Sequence, residues 1–192
     1  SVQTLIEGDT EDSGWQKDPQ IKELARSIMA DNKVDPYGHP DQAWAALLKW
    51  VQDNVPYINE PGEQFQSPQY TLECVRRGMG GADCDDLMIL LASLGGSLGL
   101  PWRAVVYGVN TKTRAKVRYV ESPHKHGEGV SFMLWDGKGA SRTIGMSIGG
   151  RVPENVQWSH IYLACGLGSL RATSYTFAEP TLKVPLGWDA ME

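Results

Sequence analysis

The first half of the chain carries apolar residues at helical spacing. Two stripes repeat every three to four residues, as expected of amphipathic helices with one face turned to a core. Asp18-Pro19 and Ser67-Pro68 each place an N-cap residue before a proline at the first helical position. The pattern predicts helices over about 19–34, 41–54 and 68–77. The two stripes are Ile21, Leu24, Ala25, Ile28 and Met29, and Ala43, Trp44, Leu47, Leu48 and Val51.

A fourth helix is apolar on every side. It begins at Cys84, directly after the loop Gly80-Gly81-Ala82-Asp83, and ends at Gly99 and Pro101. Its apolar residues occupy positions 87–92, 94, 98 and 100. A helix without a polar face is typical of the interior, so this one is predicted to be buried.

From Trp102 onwards the apolar period changes from about four residues to two. The alternation predicts strands near 102–109, 115–121, 130–135, 142–148, 157–164 and 172–178. Helices followed by a run of strands indicate an α+β fold, with an antiparallel sheet packed on the buried helix. We expect a single domain over 1–192, with an N-terminal arm over 1–17.

Length and charge narrow the functional classes. The chain has 192 residues, and its longest apolar run, Leu87 to Ala92, is far shorter than the ~20 residues that span a bilayer. The first residues show no basic and apolar leader, so we expect no signal peptide. The net charge of −5 argues against a general nucleic-acid binder.

One of the three cysteines stands in a chemically distinctive place. Cys74 and Cys165 fit the common role of a small buried apolar residue. Cys84 begins the buried helix, where unsatisfied N–H groups and the positive helix end favour an anion, so a lowered thiol pKa is expected. Asp83 is the expected N-cap. The nearby carboxylates oppose a thiolate by repulsion, which leaves a nucleophile and a packed cysteine both open on position alone.

A nucleophilic cysteine needs a base and a residue that orients the base. His160 lies in an alternating strand, and Glu179 ends the next strand. A hairpin turning near Gly168 would pair positions 160 and 176, which brings Glu179 close to His160. The rival pair is His126 with Asp136. A lone histidine on a strand is more often structural. The assignment of His160 as the base therefore depends on its occurrence together with Cys84 and Glu179.

Short motifs along the chain surround these candidate residues. The motifs are Trp50 to Asn54, Val55-Pro56-Tyr57, Phe65-Gln66-Ser67-Pro68, Thr71-Leu72, Asp83-Cys84-Asp85-Asp86-Leu87, Gly99-Leu100-Pro101-Trp102-Arg103-Ala104-Val105-Val106, Trp158-Ser159-His160-Ile161-Tyr162, Glu179-Pro180-Thr181 and Leu186-Gly187-Trp188. Together they resemble the transglutaminase-like superfamily, above all its short bacterial and phage-encoded members. The resemblance spans roughly 20–108 and 156–188.

The resemblance implies a papain-like fold with a Cys–His–acid triad. Carried over position by position, Cys84 is the nucleophile, His160 the base and Glu179 the orienting acid, where the family usually has aspartate. Gln66 is a candidate for the oxyanion hole. A second departure is the segment over about 110–152, an apparent insertion that could form a lid, a substrate wall or a partner-binding face.

Within this insertion four basic residues alternate, so all four are expected on one strand face. They fit either a solvated, charge-protected edge strand or a site for an acidic peptide or glycan. His124 and His126 lack matched ligands at zinc spacing, so no metal site is predicted. The basic residues are Lys112, Arg114, Lys116 and Arg118.

The sequence therefore predicts a thiol-dependent acyl-transfer enzyme that cleaves amide bonds of a protein or peptide through a thioester. Peptidase or amidase action is favoured over transamidation, because the short bacterial-type members resemble proteases more than animal transglutaminases. No cofactor is implied, and no calcium loop is present. A cytoplasmic location is expected, or a virion if the gene is phage-borne. The alternative is a non-catalytic binding or assembly module that keeps the fold, which Glu179 and the basic segment favour.

Overall fold

The computed structural model describes residues 2–8, 13–59, 65–121, 132–135, 141–144, 152–168 and 174–191. Helices occupy the first half of these residues and strands the second half. The helices are α1 (Val2–Glu7), α2 (Pro19–Asn32), α3 (Pro40–Asn54), α4 (Pro68–Arg76) and α5 (Cys84–Ser97), with a 3₁₀ turn at Trp15–Lys17. The strands are β1 (Trp102–Asn110), β2 (Lys116–Val120), β3 (Phe132–Trp135), β4 (Ser141–Ile144), β5 (Val156–Gly166) and β6 (Ser174–Ala178).

The predicted N-caps hold the starts of α2 and α4. Asp18 Oδ1 accepts a hydrogen bond from the Gln20 backbone N–H at 2.8 Å. Ser67 Oγ accepts one from the Tyr70 backbone N–H at 3.2 Å. Each cap satisfies a donor that the helix itself leaves without an acceptor, which is why these helices begin where the sequence indicates.

The N-terminal segment is packed against the rest of the structure. Helix α1 and the 3₁₀ turn both contact α5, and Ile6 is completely buried. No periodic pattern predicts this helix, because α1 has only six residues, less than two helical turns.

The sheet has the strand order β2-β1-β5-β6-β3-β4. From β2 through β1 and β5 to β6, each strand runs antiparallel to the next, and β3 runs antiparallel to β4. The α+β class is thus confirmed. One pairing differs from the antiparallel prediction, because β3 runs parallel to β6. Parallel neighbours need a long connection, and here β4 and β5 lie between the two strands in sequence.

Helix α5 lies between the other helices and the sheet, as its apolar faces predict. Its residues Asp86 to Gly95 are all buried. Helix α3 packs directly on it, and a Cβ added to Gly95 would lie 2.0 Å from the Trp44 ring. The Trp44 indole also donates a hydrogen bond to the Gly166 carbonyl at 3.1 Å, which ties α3 to the end of β5. The nucleophile candidate therefore begins the most enclosed element.

The basic residues of the 110–152 segment do not share one strand face, which corrects the prediction. Lys112 and Arg114 lie in the turn before β2, and Arg114 has a positive φ of 63°. Arg118 is paired with Asp189 at 2.9 Å, and Lys116 donates to the Met191 carbonyl. The C-terminal segment thus contacts Lys116 and Arg118, which are two of the four basic side chains. Among the described residues, no helix has the length and apolar character to cross a membrane.

Candidate active site

Cys84 is the first residue of α5, and a short backbone pairing fixes the loop before it. Tyr57 and Ala82 form a parallel bridge, in which the Ala82 N–H donates to the Pro56 carbonyl at 3.0 Å. A Cβ on Gly81 would lie 1.8 Å from the same carbonyl oxygen, so this close approach requires glycine. Asp83 then caps α5 as predicted, accepting from the Asp86 N–H at 3.2 Å.

The surroundings of the thiol disfavour its ionisation. Cys84 is half-buried, and its Sγ donates to Asp85 Oδ1 at 3.4 Å. The pKa of Cys84 is raised to about 12 in total, with burial as the largest cause. The Asp85 and Asp83 carboxylates also raise it, while a hydrogen bond from the Ile161 backbone N–H lowers it. The expectation of a lowered pKa was wrong, because desolvation and carboxylate repulsion outweigh the helix end.

His160 lies on β5 directly after a bulge. Tyr107 pairs with His160 across β1 and β5, but Gly108 pairs with Trp158, so Ser159 is the additional residue. A Cβ on Gly108 would lie 2.1 Å from the Gln157 carbonyl oxygen, so the two backbones meet only because this residue is glycine. The bulge sets the direction of the imidazole.

The His160 ring contacts the predicted acid. Its Nε2 lies 2.5 Å from Glu179 Oε2. A carboxylate only accepts hydrogen bonds, so Nε2 is the donor in this contact, and in the neutral imidazole Nδ1 is then the acceptor. The Glu179 side chain is 1% exposed, and its Oε1 accepts from the Thr181 hydroxyl at 2.6 Å and from the Thr181 N–H at 3.3 Å.

The route to this contact differs from the predicted hairpin. Strand β5 continues to Gly166, and Leu163 pairs with Ala178 rather than with a residue nearer Gly168. The same register continued would place residue 181 opposite His160. Glu179 therefore reaches the imidazole from a diagonal position on the same sheet face.

Two tyrosines hold the imidazole from the sides. The Tyr162 ring stacks on His160 with centroids 5.7 Å apart, and the Tyr107 ring meets it edge-on at 5.5 Å. The Tyr162 hydroxyl lies 3.5 Å from Asp189 Oδ1, and burial raises the Tyr162 pKa. His160 is consequently fixed by packing as well as by its hydrogen bond.

Gln66 lies beside the first turn of α5. Its backbone N–H donates to Asp86 Oδ1 at 2.7 Å, and its Oε1 accepts from the Thr71 hydroxyl at 3.3 Å. The buried Asp86 thus anchors the segment that carries Gln66. The structure places Gln66 against the helix that begins with Cys84, and its role in an oxyanion hole stays a prediction.

Tyr57 is a site residue to which the sequence analysis gave no role. It is 49% exposed and pairs with Ala82 in the loop before the thiol. Partial burial raises the Tyr57 pKa, and the neighbouring acidic groups raise it further; these are Cys84, Asp83, Asp85 and Glu179. The motif Val55-Pro56-Tyr57 was the available signal, since it belongs to the resemblance.

The remaining candidates of the sequence analysis are the rival pair, His124 and the other cysteines. His124, His126 and Asp136 lie outside the described residues. Cys165 is fully buried, and burial raises its pKa. Within the described ranges, no group of three or more His, Cys, Asp or Glu side chains is arranged to hold a metal ion.

No family model matches the sequence, and no curated protein matches it either. Among solved structures, the chain is similar to a candidate protease from Parabacteroides distasonis, with 10% identity and a TM-score of 0.48 over 96% of this chain and 26% of that one. It is also similar to a candidate cysteine protease from Cytophaga hutchinsonii, with 14% identity and a TM-score of 0.38 over 80% of this chain and 52% of that one. The chain thus spans about a quarter and about half of these two proteins.

Proposed function

We propose that the protein is a cysteine-dependent peptidase or amidase of the transglutaminase-like type, with Cys84, His160 and Glu179 as its triad. The observation that carries the proposal is the 2.5 Å contact between His160 Nε2 and the buried Glu179 carboxylate. His160 lies directly before Ile161, whose backbone N–H donates a hydrogen bond to Cys84. Nucleophile, base and orienting acid are the parts that thiol-based acyl transfer needs.

The proposed reaction begins with a neutral thiol. Because the pKa of Cys84 is raised to about 12, its proton leaves as sulfur attacks the amide carbonyl, and His160 Nδ1 accepts that proton. The resulting imidazolium is stabilised by Glu179 and returns the proton to the departing amine. The C–N bond breaks and a thioester to Cys84 remains, which water hydrolyses with His160 again acting as base.

The developing oxyanion has donors at the start of α5. The first N–H groups of a helix have no acceptor within that helix, and the helix end is positive. The Gln66 side chain is the additional donor candidate, since its segment is held against α5 by Asp86. Such prearranged donors contribute most where water is excluded.

A non-catalytic binding module is the second candidate, and one observation favours it. The pKa of Cys84 is raised rather than lowered, which is the property of an inert buried thiol. In that case the His160–Glu179 pair would serve only to hold β5 and β6 together.

Peptide-library cleavage read by mass spectrometry separates the two. Wild type and Cys74→Ala should cut the same peptides, and Cys84→Ala should cut none while keeping the same circular dichroism spectrum. Cys74 is the matched control because it is also a half-buried free thiol. Cleavage by Cys84→Ala at the wild-type rate would refute the mechanism, and no cleavage by wild type would favour the binding module.

A further inference from the structure

The loop that follows Glu179 is held by one side chain from the opposite layer. Gln52, near the end of α3, directs its Nε2 toward three backbone carbonyls of this loop. The distances are 3.0 Å to the Glu179 oxygen, 2.6 Å to the Leu182 oxygen and 2.9 Å to the Val184 oxygen. The amide nitrogen of one side chain thus lies within hydrogen-bond distance of three carbonyl oxygens of this loop.

The first of these acceptors belongs to the acid itself. The Glu179 carboxylate is already fixed at Oε1 by Thr181, which leaves Oε2 for His160. With the carbonyl of the same residue bound to Gln52, backbone and side chain of Glu179 are both constrained. A change at Gln52 is therefore transmitted to His160 through one residue.

Gln52 also spans the two layers that carry the site. Its own helix packs on α5, whose first residue is Cys84, whereas Glu179 continues β6 of the sheet. The sheet side holds the His160–Glu179 pair and the helix side holds the thiol. A donor on α3 that binds the Glu179 loop thus fixes one half of the site against the other.

We propose that Gln52 is a positioning residue, which holds Glu179 in the place where it keeps His160 Nε2 protonated and Nδ1 directed to its reaction partner. The inference rests on the proposed function for its effect on turnover. Misplacement of a reacting group by about 1 Å can cost 10²-fold in rate, so a substantial loss is expected from a residue that never touches the substrate.

Gln52→Met removes the donor at nearly constant size, and Gln52→Lys restores three donors for the three carbonyls. We expect Gln52→Met to lower kcat by about tenfold to a hundredfold with KM within about twofold, and Gln52→Lys to recover most of kcat. Gln42→Met is the matched control, because Gln42 is an exposed glutamine on the same helix. If Gln52→Met does not fold, Gln52→Asn carries the same expectation, since its amide is one methylene short.

A second readout does not depend on activity. Nitrogen-15 NMR of the histidine rings should show His160 as the Nε2–H tautomer in wild type and in Gln42→Met, and a mixture with the Nδ1–H tautomer in Gln52→Met. A wild-type tautomer together with wild-type kcat in Gln52→Met would overturn the inference. If Cys84→Ala cleaves normally, the proposed function fails, and the tautomer measurement still decides the role of Gln52.

Discussion

Several neighbouring groups act in opposite directions on the ionisation of the Cys84 thiol. The start of α5 and the Ile161 N–H favour the thiolate, whereas burial and the Asp85 and Asp83 carboxylates favour the thiol. The balance leaves the thiol protonated at neutral pH. In the proposed mechanism, reactivity then depends on transfer of the proton to His160 during attack, and not on a thiolate formed beforehand.

Asp85→Asn should lower the pKa of Cys84, because it removes a negative charge and replaces the acceptor of the Sγ hydrogen bond. The rate of iodoacetamide labelling follows the thiolate fraction, so it should rise at any fixed pH below the wild-type pKa. The measurement is the labelling rate of Cys84 from pH 6 to pH 10, followed by peptide mapping. Asp41→Asn, the same change in the first turn of α3, should leave the profile unchanged. Identical profiles for Asp85→Asn and wild type would contradict the assigned cause.

Glu179→Gln should reduce turnover by between tenfold and about 10⁴-fold, because the glutamine amide can donate where His160 needs an acceptor. Glu179→Asp restores the residue usual in the resembled family and should stay within about tenfold of wild type, a barrier change of ~1.4 kcal/mol. The measurement is kcat and KM of the three proteins on one cleavable peptide. Equal kcat for Glu179→Gln and wild type would remove the acid from the site.

At the scale of elements, a bulge in β5 precedes the proposed base, His160. The extra Ser159 rotates the strand just before His160, and glycine at 108 permits the approach of β1. A regular strand would carry the same residues with the imidazole in a different direction.

Gly108→Ala should therefore impair the site and the fold together. The added Cβ meets the Gln157 carbonyl at 2.1 Å, a backbone atom that cannot move aside cheaply. We expect at least a tenfold loss of kcat and a destabilisation of about 1–3 kcal/mol, read by urea unfolding. Gly38→Ala is the control, since its Cβ would meet only the end of the Asp35 side chain. A Gly108→Ala protein with wild-type kcat would show that the bulge does not position His160.

The elements were largely predictable and their pairings were not. N-caps and apolar spacing placed α2 to α5, and alternation placed the strands, because these signals are local. The contact of His160 with Glu179 was predicted through a wrong hairpin register, and the bulge was not predicted, since register is set by partners far along the chain. The direction of the shift in the Cys84 pKa depended on burial, which a sequence does not specify.

At the scale of the whole molecule, the C-terminal segment packs over the sheet face that carries Tyr162. Asp189 accepts from Arg118 at 2.9 Å, and their side chains are 4% and 12% exposed. Arg118 also lies over the Phe177 ring at 4.6 Å. The segment thereby covers an apolar cluster that would otherwise face water; its buried members are Val105, Val120, Tyr162, Ala164, Tyr175 and Phe177.

Asp189→Ala should lower the free energy of unfolding by about 3 kcal/mol, because it leaves the Arg118 charge buried without its partner. Urea unfolding measures the change. Asp53→Ala breaks the exposed pair with Lys49 and should have almost no effect, since water and salt screen such pairs. Equal stability of the two variants would show that the C-terminal segment does not contribute to the fold.

The central claim is that Cys84 forms a covalent acyl intermediate with its substrate. The most direct test is acid quenching of wild type during cleavage of a library-selected peptide, followed by intact-mass analysis and peptide mapping. We expect an added mass equal to the acyl half of the peptide, located on Cys84 and absent from Cys84→Ala. Cleavage that proceeds with no adduct, or with an adduct on Cys74 or Cys165, would contradict it.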